Sequence, residues 1–297
     1  MATVLIAGLA TLDFVFDVDA MPRTAEKHRA RDASMIGGGG AANAAVAISR
    51  LGGRASLAVR LGDDEFAALI EAGLAGEGVD GSLIRRIAGS RSSFSSVFID
   101  RKGERQIVNF RDDTTSTDAN WISQSDMSID AALSDTRWPE GALAAMQLAR
   151  RQGRPGVIDG EAPARLALAA LVAASHIAFS AQGLREFAGT DDFRDGLAKA
   201  RDETGAWVCV TDGANGVAVL EEERLRTIPA FGVDAVDTLA AGDVWHGAFA
   251  LALAERQGEI DAVRFANAVA AIKCMRAGGR ASYPDRAAVE TFLKDAA

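Results

Sequence analysis

The chain has 297 residues, 48% hydrophobic and 25% charged, which excludes a disordered or fibrous protein and sets it among globular ones. Thirty-two Lys and Arg against 41 Asp and Glu leave a net charge of −9, the wrong sign for a nucleic-acid binder or a protein held on an anionic membrane. Two cysteines, Cys209 and Cys274, are too few for a disulfide framework, and both lie in apolar runs, as buried thiols in a reducing cytoplasm do.

In chain order, Thr3–Ala7 reads as a buried strand; its apolar stretch is too short to cross a bilayer and lacks the basic start of a signal peptide. The segment Leu12–Met35 carries Phe14, Phe16 and Val18 in alternation, a strand signal. Four glycines, Gly37–Gly40, then open a helix Ala41–Leu51 that Gly52-Gly53 stops. Ser56–Arg60 is a further buried strand, and Ser93–Phe110 reads as a hairpin turning over residues 101–104. The strand Ile129–Ser134 leads into a helix Pro139–Arg151, with proline at its first position. Gly156–Ile158, His176–Phe179 and Ala206–Val210 complete the buried strands, and Glu222–Arg226 reads as a solvated hairpin rim. Strand–helix alternation predicts a mainly parallel sheet covered by helices on both sides. No linker divides the chain, so residues 1–297 form one unit. The pieces 12–35 and 93–110 make a small β layer, fit to act as a lid or an interface.

The strongest local motif is Asp237-Thr238-Leu239-Ala240-Ala241-Gly242-Asp243, followed by a helix with Trp245, Ala248, Phe249, Ala252 and Leu253 on one face. It puts small residues at a helix N-terminus, where unpaired amides and the helix dipole favour an anion, and sets Asp243 beside them. Such a pair suits phosphoryl transfer to an alcohol. The same residues also suit a plain helix with an acidic first turn. The glycine run satisfies G-x-G-x-x-A, the dinucleotide fingerprint, yet equally describes a tight strand-to-helix turn. Thr211-Asp212-Gly213-Ala214-Asn215-Gly216 is a glycine turn at a strand end. His176 reads as a core residue, and His246 packs one turn past Asp243 without a catalytic role.

Taken in order, GGGGAANAAVAISRLGG and DTLAAGDVWHGAF, with RLGDDEF and TDGANG between them, resemble the ribokinase/PfkB family of carbohydrate kinases over essentially the whole chain. The resemblance implies a Rossmann-like three-layer α/β sandwich with a β lid. It also implies ATP-dependent transfer of the γ-phosphate to a sugar hydroxyl with Mg2+, a cytoplasmic location, and a homodimer paired through the lids. It makes Asp243 the catalytic base and the amides of Ala241 and Gly242, with Ala240 nearby, the anion hole. Asp13, Gly39 and Asn43 take the places that contact substrate hydroxyls; Thr211, Gly213, Gly216 and Asn267 fall in the nucleotide region. The sequence departs from the pattern twice. Ala240 stands where glycine is usual, which is tolerated if its φ is negative. Ser180-Ala181-Gln182-Gly183 stands where many members carry N-x-x-E, associated with magnesium and phosphate. No direct magnesium ligand is therefore assigned, and Asp159, Glu161 and Asp243 are left to act on the metal through water.

Within the family, RKGERQIVNF, SDTRW, VIDGEAP, HIAFSAQGL and IKCMRAGGRASYPD are similar to the sulfofructose kinases. That likeness implies phosphorylation of 6-deoxy-6-sulfofructose at carbon 1, with Lys27, Asn109 and Arg137 holding the sulfonate. The alternatives are a kinase of a neutral sugar or nucleoside, a binding protein without catalysis, and a dinucleotide-dependent oxidoreductase.

Overall fold

The computed structural model describes residues 1–221 and 223–296; Glu222, in the predicted rim 222–226, lies outside the described residues. Thirteen strands are found among them: β1 Thr3–Gly8, β2 Thr11–Asp17, β3 Asp32–Gly38, β4 Arg54–Gly62, β5 Arg85–Ile87, β6 Phe94–Ile99, β7 Arg105–Phe110, β8 Ala131–Ser134, β9 Gly156–Gly160, β10 His176–Ser180, β11 Trp207–Thr211, β12 Val217–Glu221 and β13 Arg224–Ile228. Nine of them form the main sheet in the order β13-β12-β11-β10-β9-β8-β1-β4-β5. From β11 across to β5 every pairing is parallel, and β12 and β13 add an antiparallel edge. The rim residues from Arg224 onward belong to that edge strand.

One hydrophobic core lies on each face of the sheet, as a parallel sheet buried on both sides requires. The helices Gly40–Arg50, Ala241–Ala254 and Glu259–Cys274 cover one face; Pro139–Arg151, Ala181–Ala188 and Phe193–Thr204 cover the other. The helix after the DTLAAGD motif differs from its single-faced prediction. Every residue from Val244 to Ala254 is buried, because this helix runs between two others and the sheet. Small residues bring it close: a Cβ on Gly247 would stand 2.7 Å from Ala44 O of the neighbouring helix. That approach draws the two helix N-termini, at Gly40 and Ala241, to one spot beyond the carboxyl ends of β1, β8 and β9, the usual place for a ligand in an open α/β sheet.

The lid is a separate four-stranded sheet in the order β3-β2-β6-β7. The second predicted segment holds as a hairpin; the first divides into β2 and β3, joined by a non-strand stretch that carries Lys27. Gly37 and Gly38 end β3, so the glycine run spans the junction of lid and helix. One face of the lid packs on the helix Glu65–Gly76 through edge-on contacts of Phe66 with Phe14 (5.8 Å) and Phe94 (5.4 Å). On the other face, strand register sets Asp13, Ser95 and Asn109 side by side.

Candidate active site

Two loops of small residues open onto helices here, and their amides have different partners. At the first, Asp135 is fully enclosed and accepts from Leu9 N (2.8 Å), Ala41 N (3.2 Å) and Arg137 N (2.8 Å). A carboxylate of the chain thus occupies the positive end of the helix Gly40–Arg50. Gly39 takes φ 91, and a Cβ there would stand 2.4 Å from Leu9 O. Those glycines serve a tight junction and a filled N-terminus, so the dinucleotide reading of the run has no open phosphate site to support it.

At the second loop, Ala241 N donates to Thr238 O (3.2 Å) and closes the turn, while the amides of Gly242 and Asp243 have no acceptor among the described residues. The open pair therefore lies one residue further along than Ala241 and Gly242. Ala240 caps the helix at φ 60, ψ 15. The expected negative φ is corrected: the turn needs the left-handed region, where glycine is at ease and alanine carries a strain of about 1–2 kcal/mol. Gly242 is the reverse case. Its φ is not positive, and a Cβ on it would meet nothing within 4 Å. Nothing in the fold asks for glycine there, whereas an approaching anion does.

Asp243 stands between the two loops. Its Oδ2 accepts from Asn43 Nδ2 (2.7 Å), and Asn43 Oδ1 accepts from Arg280 Nε (3.1 Å). Burial pushes the Asp243 carboxyl up to about 6, against the lowering effect of the Asn43 hydrogen bond. His246, buried behind it, places Nδ1 2.8 Å from Gly242 O and Nε2 3.0 Å from Ala178 O. Two carbonyl acceptors call for protons on both nitrogens. Burial pulls the imidazole pKa down, but Asp159 at 3.5 Å and the two carbonyls outweigh it, and the net shift is upward. Through these two carbonyls His246 braces the first turn against β10. Burial lifts Asp159 to about 7, with Glu161 and Asp243 adding like charge.

The remaining predicted residues divide into groups. Asp13 lies in the cleft with its Oδ1 on Thr11 Oγ1 (3.1 Å), raised by burial. Asn109 shares its lid face. Arg137 reaches the cleft rim, where it donates to Ala162 O (2.9 Å) and pairs with Glu161 (3.0 Å). Trp138 beside it takes its cation from Arg60 instead, 4.6 Å from the ring. Lys27 is exposed and makes no hydrogen bond or ion pair among the described residues. Thr211 ends β11 and Gly213–Asn215 forms a single turn after it; Gly216, at φ 92, lets the chain pass Ile228 O. Asn267 is held by its own amide: Oδ1 accepts from Trp245 Nε1 (2.8 Å) and Nδ2 donates to Pro229 O (3.0 Å).

Three residues escaped the sequence reading. Arg280 lies in IKCMRAGGRASYPD, a segment quoted for its likeness, but nothing local gave this arginine a role. Lys273 did carry one, a lone lysine in the apolar run AAIKCM: it is wholly buried, with Nζ 2.8 Å from Asp237 O and 3.1 Å from Asp237 Oδ2. Arg105 of the lid reaches the same carboxylate (3.0 Å), and Leu239 N also donates to it (2.9 Å). Asp237 thereby ties the turn before Ala241 to the core and the lid.

The Ser180–Gly183 departure has a steric cause. A Cβ at Gly183 would stand 1.8 Å from Gly160 O, so no glutamate fits where the helix Ala181–Ala188 meets β9. Among the described residues no three His, Cys, Asp or Glu side chains form a ready metal cage. Buried Asp159 Oδ1 and Ser134 Oγ, both without hydrogen-bond partners, line the cleft beside Asp243. Hard oxygen donors that are few in number fit magnesium carried on phosphate and water.

An α/β sheet with an open helix N-terminus, a carboxylate beside it and a lid over the cleft defines a phosphotransferase acting on an alcohol. Residues 1–286 match the pfkB family carbohydrate kinase model, and the chain belongs to that family; it is an ATP-dependent carbohydrate kinase. It is similar to the ribokinase of Haemophilus influenzae, 27% identical over 99% of both chains, and to fructokinase-1 of Zea mays, 28% identical over 87% of this chain and 88% of that one. A solved structure from Agrobacterium tumefaciens, provisionally assigned as a ribokinase, is 36% identical over 99% of this chain and 98% of its own, with a TM-score of 0.90. Kinases of this family use ATP, with Mg2+ as the usual metal. No helix of the described residues is long and apolar enough to cross a membrane.

Proposed function

We propose that this kinase phosphorylates carbon 1 of 6-deoxy-6-sulfofructose. Asp243 takes the proton from the attacking hydroxyl, and the amides of Gly242 and Asp243 stabilise the charge on the moving phosphoryl group. ATP lies on the side of Thr211, Gly213 and Gly216, and the sugar lies under the lid against Asp13. Magnesium, when bound with the nucleotide, offsets the charge of the phosphates, with Asp159 and Glu161 as the nearest carboxylates.

What supports the choice of sugar is the lid register, which sets Asn109 on the same face as Asp13 over the cleft, with Arg137 as the cation at its edge. Arg111, two residues past Asn109, is lowered from its usual pKa by partial burial and then by the charge of Arg137, against the opposing effect of Asp135 and Asp113. Guanidiniums gathered at a cleft rim favour an anion between them, and a sulfonate offers three acceptor oxygens. A second reading, a kinase of fructose or ribose, is favoured by the pairing of Arg137 with Glu161, which already neutralises it. Turnover with ATP of 6-deoxy-6-sulfofructose, fructose, fructose 6-phosphate, ribose and adenosine separates the two. The expected order puts the sulfonate first; a higher kcat/KM for fructose or ribose makes the neutral-sugar kinase the function.

The homodimer through the lid belongs to the same reading. On the face away from Asp13 the row Met35, Phe14, Ser96, Val108 crosses the strands; Phe14 meets the helix Glu65–Gly76, while Met35 and Val108 at either side stay exposed. Light scattering tests it: a mass of twice 31.0 kDa is expected, and the monomer mass at micromolar concentration counts against it.

A further inference from the structure

Arg280 is a cation beside the base to which the sequence motifs assigned no role. It sits on the single turn Gly279–Ser282 after the helix Glu259–Cys274. No carboxylate stands within ion-pairing distance of it among the described residues. Its Nε donates to Asn43 Oδ1 (3.1 Å), and a terminal nitrogen points to Gly38 O (3.4 Å). Room for the guanidinium comes from the glycine run: a Cβ on Gly37 would stand 2.2 Å from Nη1. Glycine at 37 and arginine at 280 therefore fit each other.

The contact has a chemical consequence. The two ends of an asparagine amide are nearly alike in shape and opposite in function. With its carbonyl turned toward Asp243, Asn43 would repel the carboxylate; with its amino group turned there, it donates. Arg280 has only donors, so it accepts just one orientation of its neighbour. We propose that Arg280 is a positioning residue for the base: through Asn43 Oδ1 it holds Asn43 Nδ2 on Asp243 Oδ2 and leaves Oδ1 of Asp243 for the substrate hydroxyl. This rests on the reading of Asp243 as base. The Asn43 hydrogen bond also opposes the upward push of burial on Asp243, so its loss raises that carboxyl further.

The test is the pH profile of kcat for the wild type, Arg280→Met, Asn43→Ala and the double variant. ATP is used with whichever of 6-deoxy-6-sulfofructose, fructose and ribose the wild type turns over fastest, and thermal unfolding checks the fold. Arg280→Met should lower kcat about tenfold or more, as misplacement of a reacting group does. Its acid limb should move to higher pH, the KM for ATP should stay, and the change should add little to Asn43→Ala. An acid limb left in place, a loss confined to the KM of the sugar, or full additivity in the double variant overturns the proposal. Should Arg280→Met fail to fold, Arg280→Lys, with the charge but not the planar fork, carries the same comparison. Asp243→Asn separates the two ideas: near-normal turnover in that variant removes the base itself, whereas a dead Asp243→Asn with an unshifted Arg280→Met removes only the role of Arg280.

Discussion

The two helix N-termini of small residues, at Gly40 and Ala241, stand side by side and differ in what occupies them. At Gly40 the positive end of the helix is filled by Asp135, a buried carboxylate of the same chain. At Ala241 the amides of Gly242 and Asp243 have no acceptor among the described residues. The local sequences, small residues running into an apolar helix, are alike. A helix N-terminus attracts an anion wherever it occurs; whether that anion is a ligand depends on which side chain the rest of the fold has already brought there.

Asp243→Asn tests the open N-terminus most severely. Turnover should fall about a hundredfold or more, as when a general base is lost, while ATP binding measured by calorimetry persists. Near-wild-type turnover would reduce Asp243 to a helix-dipole residue and make the two N-termini equivalent. Asp135→Ala probes the filled N-terminus through stability instead. It strands the amides of Leu9, Ala41 and Arg137, and denaturant unfolding should show a loss of about 2–4 kcal/mol, each hydrogen bond to a charged group being worth roughly 1.5–3 less the relief of burying a carboxylate.

Arg137→Ala carries the comparison to the lid side of the cleft. A charge-assisted contact made in the ground state should raise KM more than it lowers kcat, costing about ten- to a hundredfold in kcat/KM for 6-deoxy-6-sulfofructose and little for fructose. Equal losses toward both sugars would show that the arginine only braces Glu161 and Ala162. The pH dependence follows from the direction of the Asp243 shift. In the proposed role Asp243 works ionised, and its pKa is raised to about 6, so kcat should hold above that value and fall as pH drops through it, about tenfold per unit well below it. A limb near the ordinary carboxylate value of about 4 would mean that burial does not govern the site.

The smallest effects separate strain from function within one turn. Ala240→Gly should relieve a left-handed alanine and raise unfolding stability by about 1 kcal/mol with activity kept. Gly242→Ala should leave stability equal or slightly higher, as alanine in a helix does, and lower kcat by crowding the phosphoryl group. Melting curves and turnover of this pair, taken together, check whether position 242 is reserved for a ligand. Unchanged turnover in Gly242→Ala would show that it is not.

Much of this was legible in the residues alone. Apolar runs separated by helical periods specified a parallel sheet, Pro139 and Gly52 marked helix ends, and alternation in 12–35 and 93–110 marked the lid, because period and turn chemistry are local properties. The order of DTLAAGD after the glycine run was enough to reach the family. Other features were decided only in three dimensions. Ala240 takes a positive φ in the turn that Asp237 holds through Leu239 N. Gly183 excludes an acidic side chain because Gly160 of β9 passes beneath it. Asp135 fills one helix end, and Arg280 reaches Asn43 across 237 residues of chain. Amides, carboxylates and guanidiniums take their roles from the partners that packing supplies, and those partners lie on strands and turns that no sequence window contains.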